Sequence, residues 1–361
     1  MDCVLTQRQT DQEVFQALMR RAEAARVPLS GTLELTRRCN LGCVHCYLGP
    51  QAEQRRLRER ELRTGQVTAI IDQVAAAGCL DLLITGGDPL LRPDFAAIYR
   101  RAKLAGIDVI VFTNGTLITA PEIELFQDLP PRLVEITLYG ATAATYERVT
   151  GVPGAFRRCL AGIELLLAGG IRVGLKTVIM TLNRDEYDAM EAIARGYGVR
   201  FRMDGALNGT LANGREPLAL RIDPADIVRL EQADEGRRQE WRHFYEHFGR
   251  SAPTDHLFEC GAGQGSFHID PFGLLHPCLM IPWLSYDLLR GSFAAGWEEI
   301  GRRRDARADP GYRCASCELR NMCSHCPGFV AFENDGAQQP SAFLCALGRE
   351  RVRAITSPNL S

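Results

Sequence analysis

The chain has 361 residues, of which 46% are hydrophobic and 24% are charged, and its formal net charge is −2. This composition is ordinary for a globular protein, and the length suits one α/β domain of about 200 residues with a smaller companion. The charge gives no basic footprint for nucleic acid, no apolar run approaches the ~20 residues that span a membrane, and the N-terminus lacks a signal-peptide pattern.

Short β-type segments alternate with helical patterns through the first two hundred residues. An amphipathic stretch at 11–27 predicts a helix that leads into this region. The predicted strands cover residues 32–36, 81–85, 108–113, 133–138, 172–179 and 199–203. The predicted helices between them lie at about 65–77, 93–105, 121–127, 155–168 and 185–195. These β–α alternations, without a hairpin turn, indicate a parallel sheet with helical crossovers, either doubly wound or an incomplete (β/α) barrel.

Polar and glycine-rich residues follow each predicted strand. The segments are CNLGCVHC after the first strand, GGDP after the second, TNG after the third, YG after the fourth, Lys176 and Thr177 late in the fifth, and Asp204 at the end of the sixth. The carboxyl ends of parallel strands meet at one edge, where such folds carry their active sites. We therefore predict the functional site at this edge, with Asp204 and the polar loop 205–216 as candidate substrate contacts.

The alternating pattern ends after residue 204. A charged helical stretch follows at 224–248, and the remainder is rich in Cys, Gly and Pro with few long periodic elements. The predicted organisation is a helical lead-in (1–30), a core barrel (31–205), a linker with a helix (206–254) and a metal-organised domain (255–361).

The thirteen cysteines are strongly clustered. The absences noted above predict a cytoplasmic protein without nucleic-acid or membrane partners, and cytoplasmic thiols are kept reduced. Three cysteines lie within 39–46 and seven within 260–345, which predicts metal sites instead of disulfides. The isolated Cys3, Cys79 and Cys159 are interpreted as small buried hydrophobic residues.

The first cysteine group has the spacing Cys39-x3-Cys43-x2-Cys46, directly after a strand. Thiolates are the ligands of iron–sulfur clusters, and three of them on a [4Fe–4S] cube leave one iron open. A zinc site completed by His45 is the alternative.

The stretch TRRCNLGCVHCY, including Tyr47, resembles the cluster loop of radical S-adenosylmethionine (SAM) enzymes. The resemblance implies a partial (β/α)6 TIM-type barrel, a [4Fe–4S] cluster whose open iron binds SAM, and reductive cleavage of SAM to a 5′-deoxyadenosyl radical. It also implies a reductant such as flavodoxin or ferredoxin.

Other segments are similar to the SAM-binding motifs of this family. The implied contacts are Tyr47, Gly86, Gly87, Asp88, Pro89, Thr113, Asn114 and Arg148. Gly86–Pro89 resembles the family's "GGE" motif, with Asp88 where Glu is usual, and its glycines allow close approach of the backbone to a ligand. By the same resemblance Arg148 pairs with the SAM carboxylate, a role that suits the bidentate guanidinium; the alternative is a solvated helix charge. Lys176 is a strand-end lysine or a further SAM contact.

The second cysteine group resembles the SPASM extension, which carries two auxiliary [4Fe–4S] clusters. By this resemblance Cys314, Cys317, Cys323 and Cys345 hold one cluster, and Cys260, Cys278 and Cys326 hold the other. Taken alone, the C-x2-C pairs also fit a zinc ribbon. The second set lacks a fourth cysteine, so its last position is filled by His268, Asp270 or His276, by water, or by substrate.

The SPASM resemblance implies hydrogen abstraction from a peptide or protein substrate. In sulfatase maturases an Asp follows the cysteine matched by Cys278; here Leu279 does, which argues against formylglycine formation. With only about 30 residues before the first strand, a separate leader-peptide-binding protein is expected. Two alternatives are a radical SAM enzyme that modifies haem or another tetrapyrrole, and a non-catalytic iron–sulfur electron-transfer protein.

Overall fold

The computed structural model describes residues 11–334 and 336–357, with side chains from residue 17 onward, so Cys3 lies outside the described residues. The first part of the chain contains α1 (Asp11–Ala24), β1 (Ser30–Glu34), α2 (Gln51–Arg56), α3 (Thr64–Ala76), β2 (Asp81–Thr85), α4 (Phe95–Leu104), β3 (Asp108–Thr113), α5 (Ala120–Asp128), β4 (Leu133–Thr137), α6 (Ala143–Thr150), α7 (Ala155–Ala168), β5 (Val173–Val178), α8 (Tyr187–Gly196) and β6 (Arg200–Asp204). The second part contains α9 (Pro224–Glu231), α10 (Glu235–Phe248), β7 (Ser266–Ile269), β8 (Leu274–His276), β9 (Tyr286–Asp287), α11 (Phe293–Arg304), α12 (Pro327–Glu333) and α13 (Ala342–Thr356).

The strands form one sheet in the order β6-β5-β4-β3-β2-β1-β7-β8-β9. Strands β1 to β6 pair in parallel, each with its neighbour in the sequence. The helices between them form the crossovers that parallel pairing requires. This confirms the predicted α/β fold, a partial barrel of parallel strands.

The strands form because apolar residues alternate along them. In β2, Leu82 and Ile84 are buried, and in β3 the same is true of Val109 and Val111. These residues belong to the main core cluster together with residues of α3 and α4. Residues of the opposite phase, such as Phe112, line a cavity on the other face of the sheet. The two-residue period therefore separates core from site.

Several helical regions differ from the sequence-based expectation, among them α2, α6, the stretch at 224–248 and the helices α11, α12 and α13. Helix α6 was not predicted, and it begins where the Thr142 hydroxyl accepts a hydrogen bond from the Thr145 amide and ends at Gly151 with φ of 70°. The charged stretch at 224–248 forms two helices, because the Asp234 side chain caps a new helix by accepting from the Arg237 amide at 2.9 Å.

The sheet continues past the predicted start of the C-terminal domain. Strand β7 pairs in parallel with β1, and β8 and β9 follow as antiparallel strands. Phe267 of β7 and Trp297 of α11 belong to the main core cluster. The segment from 255 onward is thus joined to the barrel through strand pairing and core packing, and the domain division at that point stays a prediction. None of the described helices is long and apolar enough to cross a membrane.

Candidate SAM and iron–sulfur site

A cavity of about 710 Å³ lies on the face of the sheet opposite the main core. Every one of the six predicted strand ends contributes to its wall. The contributing residues include Cys39 after β1, Gly86 after β2, Thr113 of β3, Tyr139 after β4, Thr177 of β5 and Asp204 of β6. Ala206, Leu207 and Asn208 of the following loop also line it. A cavity of this size is in the usual range for small-molecule sites.

The three thiols of the first cysteine group line this cavity together with Tyr47. Backbone bonds fix their loop: the Gly42 amide donates to Thr150 O at 2.8 Å, and the Val44 amide donates to Val149 O at 3.0 Å. Burial, with a smaller effect of the nearby Asp88 carboxylate, raises the pKa of the Cys39 thiol to about 12. Buried thiolates without a compensating charge are unfavourable, so these thiols would lose their protons only when a metal cation binds between them.

The spacing between the donor atoms distinguishes a zinc ion from a larger cluster. Four ligands around one zinc at about 2.3 Å would lie only about 3.8 Å apart. Among the described residues, no three donors that include a cysteine lie within 4.8 Å of one another. His45 packs edge-on against Tyr139, with ring centroids 4.9 Å apart, and burial lowers its pKa to about 4. The donor spacing therefore fits a multi-iron cluster better than the zinc alternative.

The glycines after β2 allow close contact with the cysteine loop. A Cβ at Gly86 would lie 2.3 Å from Thr36 O, and a Cβ at Gly87 would lie 2.3 Å from Arg38 O. In the same place the Gly87 amide donates to Thr36 O at 2.7 Å. Both glycines line the cavity. The contact that excludes a larger residue at these positions is with the backbone of the cysteine loop and not with a ligand.

Asp88 contacts the end of the neighbouring strand β3. Its carboxylate is buried and accepts hydrogen bonds from the Asn114 amide at 2.9 Å, the Thr113 hydroxyl at 2.8 Å and the Leu90 amide at 3.0 Å. Burial raises its pKa to about 6. The Asn114 side chain in turn donates to Cys39 Sγ at 3.5 Å. Thr113 and Asn114 line the cavity, whereas Asp88 and Pro89 are not among its lining residues.

Arg148 is not brought into the cavity. On α6 the neighbouring Tyr146 and Val149 are buried, so Arg148 faces outward and is exposed. Its guanidinium donates to Leu182 O at 2.5 Å. The structure therefore favours the alternative interpretation of this residue, a solvated helix charge.

A partly buried charge cluster in the cavity wall was not predicted from the sequence. Arg202 donates to both carboxylate oxygens of Glu135 at 2.6 Å, and Lys176 Nζ lies 3.0 Å from Glu135 Oε2 and over the Phe112 ring. Burial lowers the pKa of Lys176 to about 8. The signal was available, since each residue is a charge inside a β-type segment, and the register pairs Lys176 with Arg202.

The three side chains suggested as a fourth cluster ligand lie in a second buried polar group. Asp270 accepts from the Phe272 and Leu274 amides, and His276 Nδ1 lies 3.1 Å from Leu284 O. His268 Nε2 lies 3.6 Å from Glu34 Oε2. Among the described residues, His268 Nδ1 and both Glu34 oxygens have no hydrogen-bond partner. Of the three, His268 alone lines the cavity.

Charge effects between the C-terminal thiols follow the two sets that the resemblance implied, and the ligand roles of these sets stay a prediction. Burial, together with smaller charge effects of Cys345, Cys317 and Cys314, raises the pKa of the Cys323 thiol to about 12. Burial also raises the pKa of Cys278, with added effects from Cys326 and Cys260. Cys278 and Leu279 line the same cavity as the first cysteine group. The second three-thiol set therefore reaches the candidate active site.

Comparisons with known proteins agree with this geometry. The radical SAM superfamily model matches residues 33–195. The chain is 30% identical to an AdoMet-dependent heme synthase of Methanosarcina barkeri over 323 residues, 81% of this chain and 89% of that protein. It is 29% identical to a PqqA peptide cyclase of Gluconobacter oxydans over 258 residues, 70% of each.

The fold is shared with solved enzymes. SuiB of Streptococcus suis bound to SAM superposes with a TM-score of 0.68 over 96% of this chain and 83% of that chain, at 16% identity. Because the family model matches residues 33–195 and a relative is 30% identical over 81% of this chain, the chain belongs to the radical SAM superfamily of enzymes.

Proposed function

We propose that Cys39, Cys43 and Cys46 hold the SAM-binding [4Fe–4S] cluster, and that the enzyme acts on a side chain of a peptide or protein. The observation that carries the proposal is that these thiols, the Gly86–Gly87 loop and Cys278 line one cavity. When bound, the cluster and SAM supply hydrogen-atom abstraction. A flavodoxin or ferredoxin would deliver the electron.

The chain's own residues hold the thiols in place and keep water away from them. The cysteine loop is fixed to α6 by backbone bonds, and the Asn114 amide side chain supports Cys39 Sγ. Asp88 holds Asn114 in position by accepting a hydrogen bond from its backbone amide. An ordered site of this kind would help to exclude water from a reactive centre.

A peptide substrate suits the size of the cavity. About 710 Å³ has to hold SAM as well as the reacting part of the substrate. If only one side chain of a peptide enters the cavity, it occupies less of this volume than a whole macrocycle would. The relative named PqqA peptide cyclase gives independent support.

We propose that the two C-terminal thiol sets hold auxiliary [4Fe–4S] clusters. The set of Cys260, Cys278 and Cys326 would have its fourth position taken by His268 or by substrate, because His268 lines the cavity with Cys278 whereas Asp270 and His276 are engaged in other contacts. Such a position suits contact with substrate, and Leu279 offers no base beside it.

A tetrapyrrole substrate is the second candidate, because the chain is 30% identical to an AdoMet-dependent heme synthase over most of both proteins. Under this alternative, the cavity would have to open further to take a macrocycle beside SAM.

The test begins with anaerobically reconstituted protein, dithionite and SAM, with 5′-deoxyadenosine measured by chromatography. Wild-type protein should form it, and the C39A/C43A/C46A variant should not. Short precursor peptides encoded beside the gene are then co-expressed with each protein, and Fe-coproporphyrin III is incubated with each in parallel. A mass change in a peptide supports the proposal, whereas a mass change in the porphyrin alone would establish the second candidate.

A further inference from the structure

The last two turns of α10 carry three potential metal ligands on one face. His243, Glu246 and His247 have the spacing i, i+3 and i+4, which places side chains next to each other on a helix. All three are exposed. The motif plays no part in the cavity or in either cysteine group.

The donor atoms of these residues are already close together. One ligand atom from each lies within 4.8 Å of the other two, and the two imidazole rings have centroids 4.2 Å apart. Zinc bonds to nitrogen are about 2.0–2.1 Å long, so tetrahedral ligands are separated by roughly 3.3 Å. Small rotations of exposed side chains cover that difference, and no backbone movement is required.

One histidine is held in the form that binds metal. His247 Nδ1 lies 2.8 Å from the His243 carbonyl oxygen, where it donates a hydrogen bond as N–H. The lone pair of a neutral imidazole is then on Nε2, which is the free nitrogen. A backbone carbonyl bonded to the other ring nitrogen is the usual support for a metal-bound histidine.

The remaining ligand is unengaged, and the position favours a cation. Among the described residues, the Glu246 carboxylate has no hydrogen bond or ion pair. The group lies in the final turns of α10, before Gly249. The carboxyl end of a helix carries partial negative charge, which attracts positive ions.

The backbone that presents the ligands is anchored. Asn321 Nδ2 donates to Phe248 O at 2.7 Å, and the Ser251 amide donates to Glu318 O at 2.8 Å. The end of α10 is thus tied to the segment between Cys317 and Cys323. An anchored helix end loses little further freedom when a metal binds.

We propose that His243, Glu246 and His247 form a surface site for a divalent transition metal of the zinc type, with water as the fourth ligand. Two imidazoles and one carboxylate are a donor set that zinc accepts. The site is separate from the iron–sulfur chemistry and goes beyond the proposed function.

Equilibrium dialysis of the iron-loaded protein against buffered Zn²⁺ tests the site, with zinc and iron measured per chain. Wild-type protein should hold one zinc more than the H243Q/H247Q variant at micromolar free Zn²⁺, at equal iron content. E246Q should weaken zinc binding by at least the roughly tenfold that is lost with an outer-shell partner, because it removes a direct anionic ligand. H256Q removes another exposed histidine and should leave zinc binding unchanged.

Equal zinc in wild-type and H243Q/H247Q proteins would overturn the proposal. An equal loss in H256Q would do the same, because it would show binding to scattered surface histidines. Circular dichroism of each variant checks that α10 is retained. Because SAM cleavage is not part of the readout, failure here is distinguishable from failure of the proposed function.

Discussion

Replacing Glu135 by Gln tests the charge cluster in the cavity wall. The Glu135 side chain is 7% exposed and is the shared partner of Lys176, 19% exposed, and Arg202, 48% exposed. In Glu135→Gln two cations remain side by side without an acid between them. Removing one partner of a buried pair is worth about 3–5 kcal/mol, and solvent screening at Arg202 reduces this to about 2–3 kcal/mol.

The stability of the double variant relative to Glu135→Gln is a stricter test than the size of the single-variant loss. In Lys176→Met the bidentate pair of Arg202 with Glu135 survives, so the loss should be only about 1 kcal/mol. Adding Lys176→Met to Glu135→Gln removes the repulsion between the two cations. The double variant should therefore be more stable than Glu135→Gln alone, although it carries one more substitution.

The assay is urea or thermal unfolding of the reconstituted protein under anaerobic conditions. Glu135→Gln should lower the thermal midpoint by several degrees, since 1 kcal/mol corresponds to about 2–4 °C in a chain of 150–250 residues and less in a longer one. Asp128→Asn is the control, because its pair with Arg100 is exposed and should contribute under 1 kcal/mol. A double variant less stable than Glu135→Gln would refute the reasoning.

Three further predictions concern single residues. Burial lowers the pKa of Lys176 from 10.5 to about 8, so on raising the pH the folded state loses this proton before the unfolded state does. The free energy of unfolding should therefore rise between pH 8 and 10.5, by up to about 3 kcal/mol relative to Lys176→Met. If urea unfolding across this pH range shows a constant difference between the two proteins, the prediction is wrong. Gly87→Ala places a Cβ 2.3 Å from Arg38 O, so it should lower the free energy of unfolding by about 1–3 kcal/mol and reduce the iron bound at the first site. The control Gly65→Ala has open space around the new Cβ and should change neither. Equal unfolding midpoints and iron contents in the two variants would show that the contact is unimportant. Cys326→Ala should remove the iron of its own set alone, measured by iron analysis and Mössbauer spectroscopy, and iron lost instead from the other C-terminal set would reverse the pairing.

The fold could be predicted because its signals are local. Leu82 and Ile84 alternate with less buried residues along β2, and that period is visible without knowledge of any partner. Helix α6 was missed because its threonine-rich segment has weak helix preference, and it is helical since Tyr146 and Val149 pack into the interior. The parallel pairing of β7 with β1 joins segments more than 200 residues apart, which no local pattern reveals.

Some features of the site also follow from local sequence, whereas others depend on contacts between distant segments. Cysteine spacing was enough to predict that Cys39, Cys43 and Cys46 line one cavity, because they lie in one short loop; the grouping of the C-terminal thiols came from the family resemblance. The direction of Arg148 could not be read from its motif, since an exposed side chain at the end of a helix has several rotamers available. The contact of Glu135 with Arg202 depends on the register of three strands. Such a cluster becomes visible only when the pairing is known.

The central claim is that Cys39, Cys43 and Cys46 hold a cluster with one iron open to SAM. Electron paramagnetic resonance of the reduced protein tests it, with C39A/C43A/C46A used to subtract the signals of other clusters. We expect the remaining signal to change its g-values when SAM is added. A signal that is identical with and without SAM would contradict the account.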